Sequence, residues 1–333
     1  MPPDSPKPQL HASDIHSILA CGYRWFLKKI RGLYEPKPTH LVLGTSQHRV
    51  AYEDLSHQLD KNVLLPDEQI PDLARDTFLK TWEEGEVILD PDEFARGLSV
   101  TKGHLTDIAI AAALIHHHEL APNLRPLPAW GKHAKGLEWK WVLEAKGHDY
   151  DLAGTADVVE GFTWNGQVLA RVRDLKVLKQ RPSQAELDQD SKETLYAMAV
   201  KAILGMTVQS VWRDALIKPT KTLGVRLVSL FSSRDDRDSE AFIHRFEAVQ
   251  DIIRKEAFLP ANPAEPWAPC HTCGFAPTCK YFTKKPKTVS FSQPLIKMED
   301  LNGNHARVRG STATTVRKVI KPGSPEWLAA ISG

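Results

Sequence analysis

From Leu152 to Lys179 the chain reads LAGTADVVEGFTWNGQVLARVRDLKVLK, two runs of strand-forming residues joined by a turn at Trp164, Asn165 and Gly166. Side chains alternate along a strand. Val168, Ala170, Val172, Asp174 and Lys176 therefore share one face of the second run, and Leu169, Arg171, Arg173, Leu175 and Val177 share the other. A carboxylate and an ammonium thus leave one face together. Asp157 closes the segment Gly154-Thr155-Ala156-Asp157 in the first run and reaches the same face if the two strands pair as neighbours. Two carboxylates and an ammonium then surround one small volume.

Clustered carboxylates repel, and burial penalises each charge, so the arrangement calls for a cation between them. Oxygen ligands with room for water suit Mg²⁺ or Mn²⁺ better than zinc. Such a metal with a lysine two residues away fits attack of water on a phosphodiester, the ammonium placing the water or meeting the developing charge. Taken alone, Asp174 and Lys176 read equally as a surface ion pair beside a strand, because a bare Asp-x-Lys is common.

The flanking sequence supplies the rest of a sheet. Leu137, Trp139, Trp141 and Leu143 alternate with Glu138, Lys140, Val142 and Glu144, and residues 208–217 and 222–231 read as two further strands. Helical periodicity marks 11–30, 191–200 and 239–258, and most of 53–119. The order of helices, three strands, helix, two strands, helix predicts an α/β sandwich. In Leu43-Gly44-Thr45-Ser46-Gln47-His48, Gly44 is expected to end an extended stretch and Thr45 or Ser46 to cap the next helix. His48 would then point inward from its first or second turn. Consecutive residues on a helix diverge by about 100°, so His116, His117 and His118 cannot all face one ion and read as a solvated helix end. Residues 121–135, with three prolines, read as a loop.

A chain of 333 residues with 42% hydrophobic content can bury a large core. It lacks an eighteen-residue apolar run and a signal-peptide pattern, so a cytoplasmic protein without membrane contact is expected. No phosphate-binding G-x-x-x-x-G-K-[ST] run is present, which excludes an ATP motor of that type. The net charge of +2 conceals an asymmetry. Residues 284–333 hold nine Lys or Arg against three acids, a basic tail that suits contact with a polyanion or simple solubilisation.

All four cysteines find a place in one scheme. Cys270, Cys273 and Cys279 follow a proline-rich run, and Cys21 stands alone near the N-terminus. Clustered cysteines in a cytoplasmic chain point to metal rather than disulfides, and zinc and an iron–sulfur cluster both accept four thiolates.

Taken together, G-x-x-D at Gly154–Asp157, D-x-K at Asp174–Lys176 and a following helix with Tyr196 resemble the nuclease core of the PD-(D/E)XK superfamily, and more narrowly its RecB-like and AddB-like branch. The resemblance runs from about Leu10 to Phe282. Ser13, Cys21, Tyr23 and Trp25 occupy the places of that branch's entry motif, with Gly22 where proline is frequent. It implies a restriction-endonuclease-like core, a central mixed β-sheet flanked by helices, with an N-terminal helical elaboration. One nuclease domain over 1–283 would carry a helical insertion at 56–135 and a cysteine-rich segment at 260–283, before the tail 284–333. Asp157 and Asp174 would hold Mg²⁺ or Mn²⁺, with His48 as a further ligand or orienting group and the Leu175 carbonyl as an extra ligand, while Lys176 positions water. The branch has Gln-x-x-x-Tyr on the helix after D-x-K. Tyr196 fits this pattern, but Lys192 replaces the glutamine and would meet a phosphate as a point charge. A glutamate is frequent at the place of Glu138, to which no role is assigned. The split of one N-terminal and three C-terminal cysteines is similar to the [4Fe–4S] staple of AddB-type nucleases, with structural Zn²⁺ as the alternative.

The implied activity is a DNA exonuclease acting on single-stranded or end-containing DNA in recombination, repair or phage DNA processing, with a helicase or recombination protein as partner. The other reading is a non-catalytic DNA-binding iron–sulfur subunit of such a complex.

Overall fold

The computed structural model describes residues 7–129, 135–265, 268–276 and 279–282, so the basic tail lies outside the described residues. The described residues form two compact units, one within 7–16 and 38–251, the other within 17–37 and 252–282.

A short strand β1 (Gln9–His11), which periodicity did not reveal, leads into helix α1 (Ala12–Trp25), whose residues from Ser17 on belong to the second unit. Helices α2 (Thr39–Lys61), α3 (Ile70–Glu83), α4 (Pro91–Arg96) and α5 (Leu98–Ile115) follow. Then come strands β2 (Leu137–Leu143), β3 (Asp151–Trp164) and β4 (Gln167–Leu178). Helices α6 (Gln184–Asp188) and α7 (Ser191–Ala199) cross over to β5 (Thr207–Ile217), β6 (Arg226–Ser232) and α8 (Asp236–Arg254). The sheet is mixed. β3 and β4 form an antiparallel hairpin whose turn residues Asn165 and Gly166 both take positive φ, the geometry that matches strand twist. β4 pairs with β5 in parallel, which is why a helical crossover separates them. β2 and β1 pair along the first half of β3.

Helices cover both faces of this sheet. On one face Val158, Leu175 and Leu216 pack against Ala51 and Leu55 of α2, Ala112 of α5 and the following Leu120 and Leu124. Behind them Val42, Leu43, Phe78, Trp82, Leu105 and Ile108 join α2, α3 and α5. Residues 98–123 are long and apolar enough to cross a membrane by length and composition, and Leu105, Ile108, Ala109, Ala112, Leu120 and Ala121 among them belong to these two clusters. α7 packs on the opposite face against β2, β4 and β5, and its Tyr196 meets Trp141 edge-on at 6.2 Å.

Three sequence expectations are corrected. α2 begins at Thr39, behind Pro38 with its fixed φ, and runs through Gly44, so Thr45 and Ser46 cap nothing. Ser46 Oγ instead donates to Leu43 O at 2.8 Å, and His48 lies in the third turn. His116 and His117 are buried in a wide turn over His116–Leu120, rather than forming a solvated helix end. The first helix is interrupted at Cys21, whose backbone is extended, and is followed by a separate wide turn over Phe26–Ile30.

The described part of the second unit has its own small core of Tyr23, Leu27, Leu33 and Phe275. Arg24 pairs with the largely buried Glu35 at 2.7 Å, and Glu35 also accepts the Gly274 N–H at 3.2 Å. These contacts join segments far apart in sequence.

Candidate active site

The ladder between β3 and β4 ends at Val158 and Arg173, one residue short of Asp157 and Asp174. Beyond that point β4 keeps only its β5 partner, which frees the Leu175 N–H, and Asp157 Oδ2 accepts it at 2.7 Å. The opening of the ladder therefore places both carboxylates at one mouth. Asp157 Oδ1 lies 3.3 Å from His48 Nδ1, brought in by α2, and Glu138 Oε1 of β2 lies 3.5 Å from the same nitrogen. Burial alone would push the His48 imidazolium down. The Asp157 charge and the bonds to Asp157 and Glu138 outweigh it and lift His48 to about 10.

Asp174 is fully buried, and its Oδ1 receives two ammonium groups, Lys176 Nζ at 2.7 Å and Lys192 Nζ at 2.6 Å. Burial would raise this carboxyl, but the two lysines hold it well below the usual carboxylate range and keep Lys192 charged. Lys192 also sits 5.1 Å from the centre of the Tyr196 ring, a cation–π contact. Burial, with the Asp174 and Asp157 charges beside it, raises the Tyr196 phenol, so it remains a neutral donor. The fields of Asp157 and Asp174 both act on Lys192 and Tyr196, and Lys176 acts on His48. The residues singled out in sequence thus converge.

These groups fit a divalent cation. Ligand atoms of His48, Glu138 and Asp157 lie within 4.8 Å of one another. Asp174 Oδ2 is buried without a hydrogen-bond partner, although its other oxygen has two. Asp174 stands outside that group but shares with Asp157 the field on Lys192 and Tyr196, and an orphaned carboxylate oxygen suits a hard cation.

Two participants escaped sequence reading. Glu138 faces Asp157 because β2 pairs Leu137 with Val158 and Trp139 with Ala156, a register that only the folded sheet defines. Its φ of +45° is a left-handed conformation costing about 1–2 kcal/mol for a residue with a Cβ, and such strain clusters at functional sites. Glu193, next to Lys192, is buried. Desolvation and the Asp174 charge push it up to about 8, and Arg213 donates to it at 3.3 Å. An open groove of about 570 Å³ passes His48 and Glu138 and is lined by Thr45, Arg49, Tyr52, Lys135 and Lys140.

In the second unit the four cysteines are free and partly buried. Cys21, Cys273 and Cys279 pack on the Tyr23–Phe275 core, and Cys270 is in the electrostatic range of Cys21 and Cys279. The break of α1 at Cys21 turns this residue out of helical geometry, and the Ala261 N–H donates to its sulfur at 3.4 Å. Burial pushes the Cys273 thiol up to about 12, so a neutral thiol fills the site until a cation displaces the proton. Three thiols on one small core with the fourth in electrostatic range suit a thiophilic metal.

A search among curated proteins found no match. Residues 9–280 match the PD-(D/E)XK nuclease superfamily, whose members are metal-dependent phosphodiesterases. That span takes in the mixed sheet, the paired carboxylates at its open ladder and Lys176, and on this ground the chain belongs to the PD-(D/E)XK nuclease superfamily.

Proposed function

We propose that the protein is a Mg²⁺- or Mn²⁺-dependent deoxyribonuclease of the RecB-like branch, acting as an exonuclease on single strands or free ends in recombination, repair or phage DNA processing. The observation that carries this reading is the meeting of Asp157, Asp174 and Lys176 where the β3–β4 ladder opens. Asp157, Asp174 and His48 would hold the metal, with Glu138 and the Leu175 carbonyl as further oxygen donors. The metal would acidify water and offset phosphate charge. Lys176, anchored by Asp174, would direct its ammonium at the developing negative charge. Lys192 and Tyr196 would hold the DNA backbone, and Lys140 and Tyr52 would offer the groove a cation and a stacking surface beside Arg49 and Lys135, which pair with Glu84 and Asp60.

Lys176→Ala is expected to keep DNA binding and lose cleavage in Mn²⁺ by about 10²–10³-fold, the scale of removing one charge-stabilising donor. Unchanged cleavage would sink the assignment. End-labelled linear, single-stranded and circular DNA would separate exonuclease from endonuclease action.

A second reading, a non-catalytic DNA-binding subunit of a helicase or recombination complex, is favoured by Lys192, whose ammonium neutralises Asp174 beside Lys176. In the nuclease reading, Lys192→Gln tightens Mn²⁺ binding and preserves cleavage. In the subunit reading, cleavage is absent in wild type and appears, if at all, only in the variant.

For the cysteines the proposal is a [4Fe–4S] cluster that staples the two ends of a cytoplasmic chain. It is supported by the gathering of 17–37 with 252–282 in one unit. Closing the loop between Cys21 and Cys270 would contribute on the order of 5 kcal/mol by chain entropy. Anaerobic purification should give a brown protein with broad absorption near ~400 nm, and a colourless protein with one zinc would overturn the cluster.

A further inference from the structure

Buried in the turn after α5, His117 has a carboxylate on each ring nitrogen. Nδ1 lies 2.9 Å from Asp54 Oδ2, and Nε2 lies 3.0 Å from Asp67 Oδ1. Asp54 is 1% exposed, and its other oxygen accepts the Leu65 N–H at 3.0 Å, so it can only accept from the imidazole. Nδ1 therefore carries hydrogen, and Nε2 of the neutral ring turns its lone pair toward a second acceptor, Asp67. A cation at Nε2, either a second ring proton favoured by the two aspartates or a metal ion, resolves that opposition. His118 Nε2 completes the group, 3.7 Å from Asp67 Oδ2, too long for a hydrogen bond. Ligands about 2.0–2.1 Å from a tetrahedral zinc stand about 3.4 Å apart, and one ligand atom from each of Asp67, His117 and His118 lies within 4.8 Å of the others, close enough for small side-chain shifts to gather them on one ion. The two imidazoles meet at 73° with centroids 5.0 Å apart, so the wide turn lets adjacent residues approach one point.

We propose that Asp67, His117 and His118 form a zinc site separate from the nuclease centre, with Asp54 fixing the His117 tautomer. Two imidazoles and a carboxylate are a zinc donor set, and a carboxylate behind a ligating histidine is its usual orienting partner. Asp67 and His118 are exposed, which leaves a fourth position open to water. The ion clamps the turn at Asp67–Gln69 to the turn after α5. The preceding residue, His116, is buried and lines a small cavity with His48 and Asp157, so the clamp also steadies one wall behind the candidate active site.

The test uses full-length protein as isolated, dialysed against micromolar Zn²⁺ in excess Mg²⁺, with zinc counted by elemental analysis and unfolding followed by calorimetry. Asp67→Asn and His118→Ala alter exposed side chains and should leave the fold intact. Each is expected to bind one zinc fewer than wild type and to lose the zinc-induced rise in Tm. Equal zinc content in wild type and both variants, or an equal Tm response, would overturn the site and leave His117 as a protonated bridge between two aspartates.

Discussion

At the scale of single residues, the candidate centre is a balance of opposite charges. Asp174 spends one oxygen on two lysines and leaves the other orphaned, while Asp157 is shared by His48 and the Leu175 amide. The folded-state pKa of His48 is raised from 6.5 to about 10 against the burial penalty. Its contribution to stability is thus full below pH 6.5 and lost as pH rises through about 10. Metal-free protein is expected to weaken across that window in urea unfolding, and His48→Ala to flatten the slope. Because a ligating imidazole gives up its proton, Mn²⁺ affinity should rise over the same range in wild type and lose that dependence in the variant.

Among the elements, the hairpin and α7 depend on close packing at Gly154. A Cβ at this position would fall 2.4 Å from the Trp141 ring, and Trp141 supports Tyr196. The glycine of G-x-x-D is needed for room, since its φ is not positive. Gly154→Ala should cost about 1–3 kcal/mol by overpacking and should reduce cleavage by displacing Trp141 and, through it, Tyr196. Thermal unfolding and a kinetic assay on the same preparation would check both. A variant of wild-type stability and rate would show that the ring moves freely. In α2, by contrast, an added methyl at Gly44 meets nothing within 4 Å, so its place one turn before His48 has no packing reason.

For the whole molecule, the two units present separate chemistry: oxygen and nitrogen donors in one, thiols in the other. Residues 284–333 add nine cations against three acids. Removing them should weaken DNA binding most at low salt and lower the slope of log K against log salt by about 0.9 for each phosphate that the tail neutralises. Cleavage of saturating DNA should persist. A titration series in KCl would decide the matter, and an unchanged slope would mark the tail as a solubilising arm.

Alternation along residues 137–143 and 152–178 was enough to define three strands and put Asp174 and Lys176 on one face, because the strand period of two is a local property. The element order was legible for the same reason. The start of α2 was not. Pro38 sets it, while Gly44, Thr45 and Ser46 send the opposite local signal, and burial of Val42, Leu43 and Val50 overrides it. The role of Glu138, the Lys192 contact with Asp174 and the meeting of Asp67 with His117 depend on strand register, helix placement and a buried turn. The lysine contact spans 18 positions and the Asp67 contact 50. Local periodicity determined which face each side chain leaves, and only tertiary packing decided which charges had to share a buried volume.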